Sequence, residues 1–445
     1  MLVKPAQALF GEPWLAFNRV LTYQVLKWRL RDRANRAAYV PEPGSMLYVA
    51  ASSLPYHTSG YTNRTHEVIC ALQAAGANVH VLTRPGYPAD RKDRQQDAAG
   101  DETLIGGVRY QHLTRPFNNR PVLQYALQAA AVVAELAARR RVALIHAASN
   151  HVNALPALLA ARHLGIPFQY EMRGLWELTR ISRTPSYLGS QAYKQGLQLE
   201  GLVARQADRL FVISEQLGRY VRDAWGVATE RMALLPNCVD PDRILPADPS
   251  CIEPDTLGYA GSLIGYEGLD TLIDAVALLV VVAGRRIAVH VIGDGEARAQ
   301  LEGQVGRLGL SGVIRFHGKV PPEAAREMLG RCAMVCIPRK PFQVCEIVPP
   351  IKLVEALAMG KPVIVPDLPV FRDEMGNNPA GWFFKAGDAK DLARVIDGAL
   401  ADRAALVVLG ARAREYASRR RCWRDFIIGA LPVAQNRELN GRQGY

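Results

Sequence analysis

The chain has 445 residues, 49% of them hydrophobic and 22% charged, with a formal net charge of +12. That length exceeds one ordinary core and predicts two domains of roughly 200 residues each, while the balance of apolar and charged residues excludes a disordered chain. The longest strictly apolar run, Ala275–Gly284, is about half of the ~20 residues a bilayer span needs, and no signal-peptide pattern opens the chain, so neither anchoring nor secretion is expected.

In chain order, residues 1–45 read as a basic extension in which Lys27, Arg29, Arg31, Arg33 and Arg36 follow Trp14, Leu15, Phe17, Leu21 and Leu26. Such a cluster either lies on anionic lipid through residues 14–36 or is a solvated basic helix. Nucleic acid is the poorer partner, because no recognised nucleic-acid module accompanies the charge. The expected location is cytoplasmic, with the inner face of the membrane open as the alternative. Seven cysteines without scaffold density or zinc-ligand spacing read as free thiols.

Met46–Ala51 reads as a buried strand, followed by a Gly-containing loop, a helix over Thr62–Ala75 and an alternating strand at Asn78–Thr83. The alternation continues with a helix at Val122–Arg139, a strand at Ala143–Ala147, a helix at Val152–Leu164 and a strand at Pro167–Tyr170. A helix over Gly196–Gln206 and a strand at Leu210–Ile213 close the first domain, 46–240. The Pro- and Asp-rich stretch from Pro236 to Pro254 reads as the connection, with the linker at 241–256.

The pattern restarts in a second domain, 257–410. Strands are expected at Leu257–Ala260, Ala288–Ile292, Ile314–His317, Met334–Ile337 and Pro362–Val365. Helices are expected at Gly268–Ala283, Glu296–Leu308, Pro322–Cys332 and Pro350–Met359, with a last one from about Lys390. The fold class is therefore α/β, with two Rossmann-like, doubly wound parallel-sheet domains. Two such sheets facing each other would set the carboxyl ends of their strands across a cleft, so ligand residues are sought in the loops after strands.

The segment Tyr259–Gly268 (YAGSLIGYEG) ends a strand and opens a helix, with Gly261, Gly265 and Gly268 placed to let backbone approach a diphosphate. With HVIGDGEARAQ at 290–300 and PPIKLVEALAMGKPVIVPD at 349–367, it resembles the family 4 type of GT-B glycosyltransferase. SGYTNRTHEVICALQAAGANVHVLT (59–83), ADRLFVISEQL (207–217) and LLPNCVD (234–240) extend the resemblance over about residues 46–425. EMRGLWE (171–177), SGYTNRT and YEGLD are similar to a bacterial subgroup associated with exopolysaccharide synthesis.

The resemblance implies a GT-B fold and a retaining, metal-independent hexosyl transfer. A UDP- or GDP-linked sugar would pass to a glycan or lipid-linked acceptor, with no cofactor beyond the nucleotide sugar. It implies that Glu355 binds the ribose diol of the donor and that residues 411–445 cross back to the first domain. Two departures stand out. The family's first Glu of the donor segment is Ile347 here, with Glu346 one residue away as a substitute. Its diphosphate-binding Arg and Lys correspond to Ser262 and Glu267.

Arg339 and Lys352 are the expected replacements, Arg as a fork for phosphate and Lys as a point charge. Each could equally be a solvated surface group, and Lys340 is a weaker candidate. Gly261, Ser262 and Gly268 complete the donor side. On the acceptor side the candidates are Ser59, Gly60, Tyr61 and Arg64, with Glu171, Arg173, Trp176 and Glu177. These last four read either as a sugar-binding loop or as a salt-bridge cluster between domains. The rival readings are a non-catalytic partner on the same fold and a nucleotide-sugar epimerase.

Overall fold

The computed structural model describes residues 17–18, 20–31, 39–91, 100–119, 121–377 and 379–432. They divide into two compact units. One holds Met1–Ile213, Leu217–Leu235 and Phe426–Tyr445; the other holds Ser214–Gln216 and Pro236–Asp425. None of the described helices is long and apolar enough to cross a membrane.

Unit 1 opens with helix α1, residues 17–29, of which 19 is not described. Trp14, Leu15, Arg33 and Arg36 of the expected basic cluster also lie outside the described residues. Strand β1 (Glu42–Ala50) leads to α2 (Gly60–Ala74), β2 (Asn78–Thr83) and the short pair β3 (Glu102–Ile105) and β4 (Val108–Gln111). Then come α3 (Val122–Arg139), β5 (Val142–Ala148), α4 (His151–Leu164), β6 (Phe168–Met172) and α5 (Trp176–Arg183). Helix α6 (Gln191–Gln206), β7 (Arg209–Val212), α7 (Glu215–Trp225) and β8 (Met232–Leu234) follow.

Among the described residues the strands form an eight-stranded sheet in the order β3-β4-β2-β1-β5-β6-β7-β8. Every pairing is parallel except β3 with β4. The run MLYVA of β1 is fully buried, as a central strand covered on both faces requires. Helices α2, α4 and α6 start where side chains satisfy free N–H groups. Ser59 forms a capping box with Thr62 ahead of α2, and Asn150 caps α4, which ends on Gly165 in the left-handed region.

Unit 2 contains β9 (Glu253–Ala260), α8 (Leu269–Ala277), β10 (Ala288–Ile292), α9 (Arg298–Arg307) and β11 (Ile314–Gly318). It continues through α10 (Pro322–Arg331), β12 (Cys332–Cys336), α11 (Gln343–Ile347), α12 (Ile351–Ala358) and β13 (Val363–Pro366). Helix α13 (Pro369–Met375), β14 (Gly381–Phe384), α14 (Ala389–Ala401) and α15 (Arg403–Arg420) complete it, and the division between the units falls within α16 (Trp423–Ile427). Its sheet runs β11-β10-β9-β12-β13-β14, all parallel.

Several expectations need correction. Strand β9 begins at Glu253, inside the stretch assigned to the linker, because Glu253 already pairs with Cys332 of β12. The helix expected over Gly268–Ala283 is α8 followed by a π turn at Leu278–Val282, which leaves Val281 and Val282 exposed. Hairpin β3–β4 has no counterpart in the expected elements; it turns at Gly106–Gly107, both at positive φ. Helices α5, α7, α11 and α13, and strands β8 and β14, were likewise not expected.

Helix α15 is tied to its unit by Arg414. The Arg414 guanidinium donates to the carbonyls of Ile244 (2.6 Å), Ala358 (2.7 Å) and Pro241 (2.7 Å). Arg414→Ala leaves three carbonyls without that donor and should lower unfolding stability by about 2 kcal/mol. A guanidinium titration reads this out as a lower midpoint; an unchanged midpoint would remove Arg414 from the fastening of α15.

Candidate functional site

In each sheet the strand order reverses at one point, where loops from neighbouring strands diverge and leave a crevice at their carboxyl ends. In unit 2 that point lies between β9 and β12. The loop after β9 carries Gly261, Ser262, Glu267 and Gly268, and the loop after β12 carries Arg339 and Lys340. The structure draws the two loops together. Lys340 N donates to Tyr266 O at 3.0 Å, and Lys340 Nζ pairs with Asp270. Gly268 has φ of 74°, and a Cβ there would meet Pro338 O at 1.9 Å, so the close approach requires glycine.

Glu267, which stands where a cation was expected, is buried between Arg339 and Lys352. Arg339 Nη2 donates to Glu267 Oε1 at 2.8 Å, and Lys352 Nζ donates to Oε2 at 2.8 Å. Arg339 Nη1 also holds Val348 O at 2.9 Å, and Lys352 Nζ donates to Tyr259 Oη at 2.7 Å. Tyr259 in turn donates to Ser262 O at 3.0 Å. Burial alone would raise the Glu267 pKa, but the two cations outweigh it and hold the carboxyl down at about 2. Burial lowers the Lys352 pKa, with Arg339 adding to the shift and Glu267 opposing it.

The three side chains sum to one net positive charge. They adjoin the glycine loop, since a Cβ on Gly261 would lie 2.6 Å from Lys352 Nζ. Glu355 is one turn further along α12, half-buried, and near enough to favour the charged form of Lys352. Glu346 is half-buried on α11, the short helix that also buries Ile347. Thus Gly261, Ser262, Gly268, Arg339 and Lys352 converge, with Glu355 beside them. Tyr259 was missed by sequence reasoning; as the last aromatic of a buried strand it carries no signal of its own.

In unit 1 the reversal lies between β1 and β5. Ser59 and Gly60 form the start of α2, and Tyr61 Oη donates to Ser149 O at 3.0 Å. Glu171, at 1% exposure, accepts from Tyr48 Oη (2.9 Å), Arg64 Nε (2.9 Å) and Arg173 Nη2 (2.8 Å). Arg173 also donates to Tyr61 O (3.0 Å) and Thr65 Oγ1 (2.7 Å), and it lies over the Tyr61 ring. Desolvation would raise the Glu171 pKa, but Arg173 and Arg64 hold it well below the carboxylate range.

The expected loop of Glu171, Arg173, Trp176 and Glu177 is therefore not one group. Glu171 and Arg173 belong to a buried cluster with Arg64, Tyr48 and His146, all within unit 1. Glu177 sits apart beside His151 and Glu200, where burial and the Glu200 charge raise its pKa. Trp176 begins α5 and is 71% exposed. Strand residues Tyr48 and His146, like Glu200 on α6, lie inside elements whose patterns mark them only as core.

Similarity to known proteins gives the class. The Glycosyl transferase 4-like domain family matches residues 59–238, and the Glycosyl transferases group 1 family matches residues 251–417. Two parallel-sheet α/β domains with these matches define a GT-B glycosyltransferase, and the chain belongs to the family 4 type.

Among curated relatives, the 2-deoxystreptamine glucosyltransferase of Streptomyces kanamyceticus is 24% identical over 78% of this chain and 91% of its own length. The D-inositol 3-phosphate glycosyltransferase of Geodermatophilus obscurus is 26% identical over 49% of this chain and 50% of its own. Among solved structures, sucrose-phosphate synthase from Thermosynechococcus elongatus has a TM-score of 0.70 at 18% identity, covering 89% of this chain and 99% of that one. Anabaena HepE in complex with UDP and glucose has a TM-score of 0.65 at 18% identity, covering 90% and 99%.

The buried triad sets a pH dependence. Because the folded pKa of Glu267 lies below the usual 4.5, its charge contributes stability above that value. That contribution should be lost as pH falls from 4.5 towards 2. The gap in unfolding stability between wild type and Glu267→Gln should therefore narrow over this window, by on the order of 3 kcal/mol. Parallel stability curves for the two proteins would show that Glu267 is not ionised in this setting.

Proposed function

We propose that the chain is a retaining, metal-independent hexosyltransferase that uses a UDP- or GDP-linked sugar. The acceptor is a glycan or lipid-linked saccharide of a bacterial cell-surface or exopolysaccharide pathway. The observation that carries the proposal is the Arg339–Glu267–Lys352 cluster, set at the strand reversal of unit 2 against the glycine loop. Breaking the bond between the anomeric carbon and the leaving diphosphate builds negative charge on the phosphate oxygens. Donors already aimed at that charge stabilise the transition state without reorganising.

In this reading Arg339 and Lys352 face the diphosphate while Glu267 keeps both in place. The backbone of Gly261, Ser262 and Gly268 approaches the phosphates, and Glu355 accepts from the ribose hydroxyls. Glu346 touches the sugar in place of the family's first Glu. The acceptor oxygen attacks the anomeric carbon on the face that the phosphate leaves, and the departing phosphate oxygen takes the acceptor proton. The products are the glycosylated acceptor and a nucleoside diphosphate, and no protein base is needed. Ser59, Gly60, Tyr61 and Arg173 border the acceptor, with Arg64 and Glu171 positioning Arg173 from behind. HepE, which has been crystallised with UDP and glucose, supports a uridine donor, and the glucosyltransferase among the relatives supports transfer of a hexose.

Two measurements test this. Arg339→Ala and Lys352→Ala should each lower turnover with a UDP-hexose by on the order of a hundredfold or more. Near-normal rates in both would sink the assignment. In thermal unfolding with UDP, GDP, ADP or CMP at ~100 times the dissociation constant, the preferred diphosphate should add about 2.7 kcal/mol. Glu355→Ala should abolish that gain. No response to any nucleotide would favour a non-catalytic partner on this fold.

A further inference from the structure

We infer that the outward face of α5, with the short turn Pro185–Tyr187 that follows it, recognises an acidic saccharide. Arg180 pairs with a sugar carboxylate, and Trp176 packs on the ring that carries it. The inference rests on the transferase reading, because it names the chemical class of the acceptor. Helix α5 begins three residues after Arg173, which that reading sets at the acceptor. The helix is firmly seated: Glu177 and Leu178 are buried on its inner side, and a Cβ on Gly196 of α6 would lie 2.1 Å from Glu177 Oε1. At about 100° per residue, Trp176, Arg180 and Arg183 fall within about 60° of one another on the outer side. All three are exposed. The Arg180 guanidinium lies over the ring of Tyr187, 4.3 Å from its centre, and Tyr187 meets Tyr193 edge-on at 6.0 Å. These rings hold Arg180 without neutralising it.

Charge and shape together select the ligand. Between Gly174 and Gln198 the cations Arg180, Arg183 and Lys194 are exposed, whereas the one carboxylate, Glu177, is turned inward. Among the described residues no carboxylate pairs with Arg180, whose partner is the Tyr187 ring. A pyranose presents a face of C–H bonds that packs on an indole. A carboxylate on such a ring then reaches a guanidinium one turn along the helix, about 5 Å away, and accepts its paired N–H groups. That carboxylate matches the single charge of Arg180, while a phosphate monoester would bring nearly two. A bilayer is met less well, because Trp176 is the one apolar side chain of the stripe.

The test is calorimetric titration of the full chain with tetragalacturonate and with maltotetraose, a neutral saccharide of equal length. Tetragalacturonate should bind roughly tenfold more tightly or better, and less so in high salt. Arg180→Ala should weaken it about tenfold and Trp176→Ala about fivefold, both with unchanged melting curves because the two side chains are exposed. Arg394→Ala, which removes an exposed charge from unit 2, should leave it within about twofold. Equal binding of the two saccharides would overturn the inference. So would equal losses in Arg180→Ala and Arg394→Ala, which would assign the effect to net charge. Tighter binding of glucose 6-phosphate than of galacturonate, or of phosphatidylglycerol vesicles through Trp176, would likewise overturn it. A nucleotide response without preference for the acidic saccharide would keep the transferase reading and lose this one. Binding through Arg180 with no nucleotide response would keep this surface and lose the transferase.

Discussion

Unit 2 depends on one arrangement, a carboxylate buried between two cations. Neither Arg339 nor Lys352 would keep its charge cheaply in that setting without Glu267, since burial works against the ionised forms of all three. The pairing fastens the loop after β9 to the loop after β12 and to the first turn of α12. An acidic residue in a loop proposed to approach phosphate is a liability only when considered alone. Here it turns two flexible cations into a fixed pair with one positive charge left over.

Unit 1 repeats the arrangement, again with one carboxylate between two cations. Glu171 is one carboxylate serving Tyr48, Arg64 and Arg173. Tyr48 and His146 stand side by side on β1 and β5, with rings stacked at 4.9 Å, and β6 delivers Glu171 to them. Buried ion clusters of this kind contribute little net stability but fix geometry, because removing one member strands the others in a dry interior. Arg173 is thereby held in one orientation by its partners.

Much of the fold was legible from period and punctuation. Helix α3 spans the residues that its apolar spacing marks, and β2 and β10 keep their expected ends. The β3–β4 hairpin is hard to read in sequence because its strands are four residues each, too short for alternation to stand out. The candidate residues were legible as identities and not as relations. Ser262 and Glu267 stand out as departures, yet Glu267 meets Arg339 across 72 residues of sequence, and spacing along the chain holds no record of that contact. Trp176 misled for the converse reason: next to Glu177 in sequence, it turns outward while its neighbour turns into the core.

The coupling within the triad also bears on how such a chain could have changed over generations. Exchanging Glu267 alone for the family's usual lysine would crowd a third cation against Arg339 and Lys352. Removing either of those alone would leave the carboxylate with half its compensation. Each single step is therefore opposed, and only paired steps are tolerated. The two loops should be inherited as a block, so descendants that differ at one of these positions would be expected to differ at its partners as well.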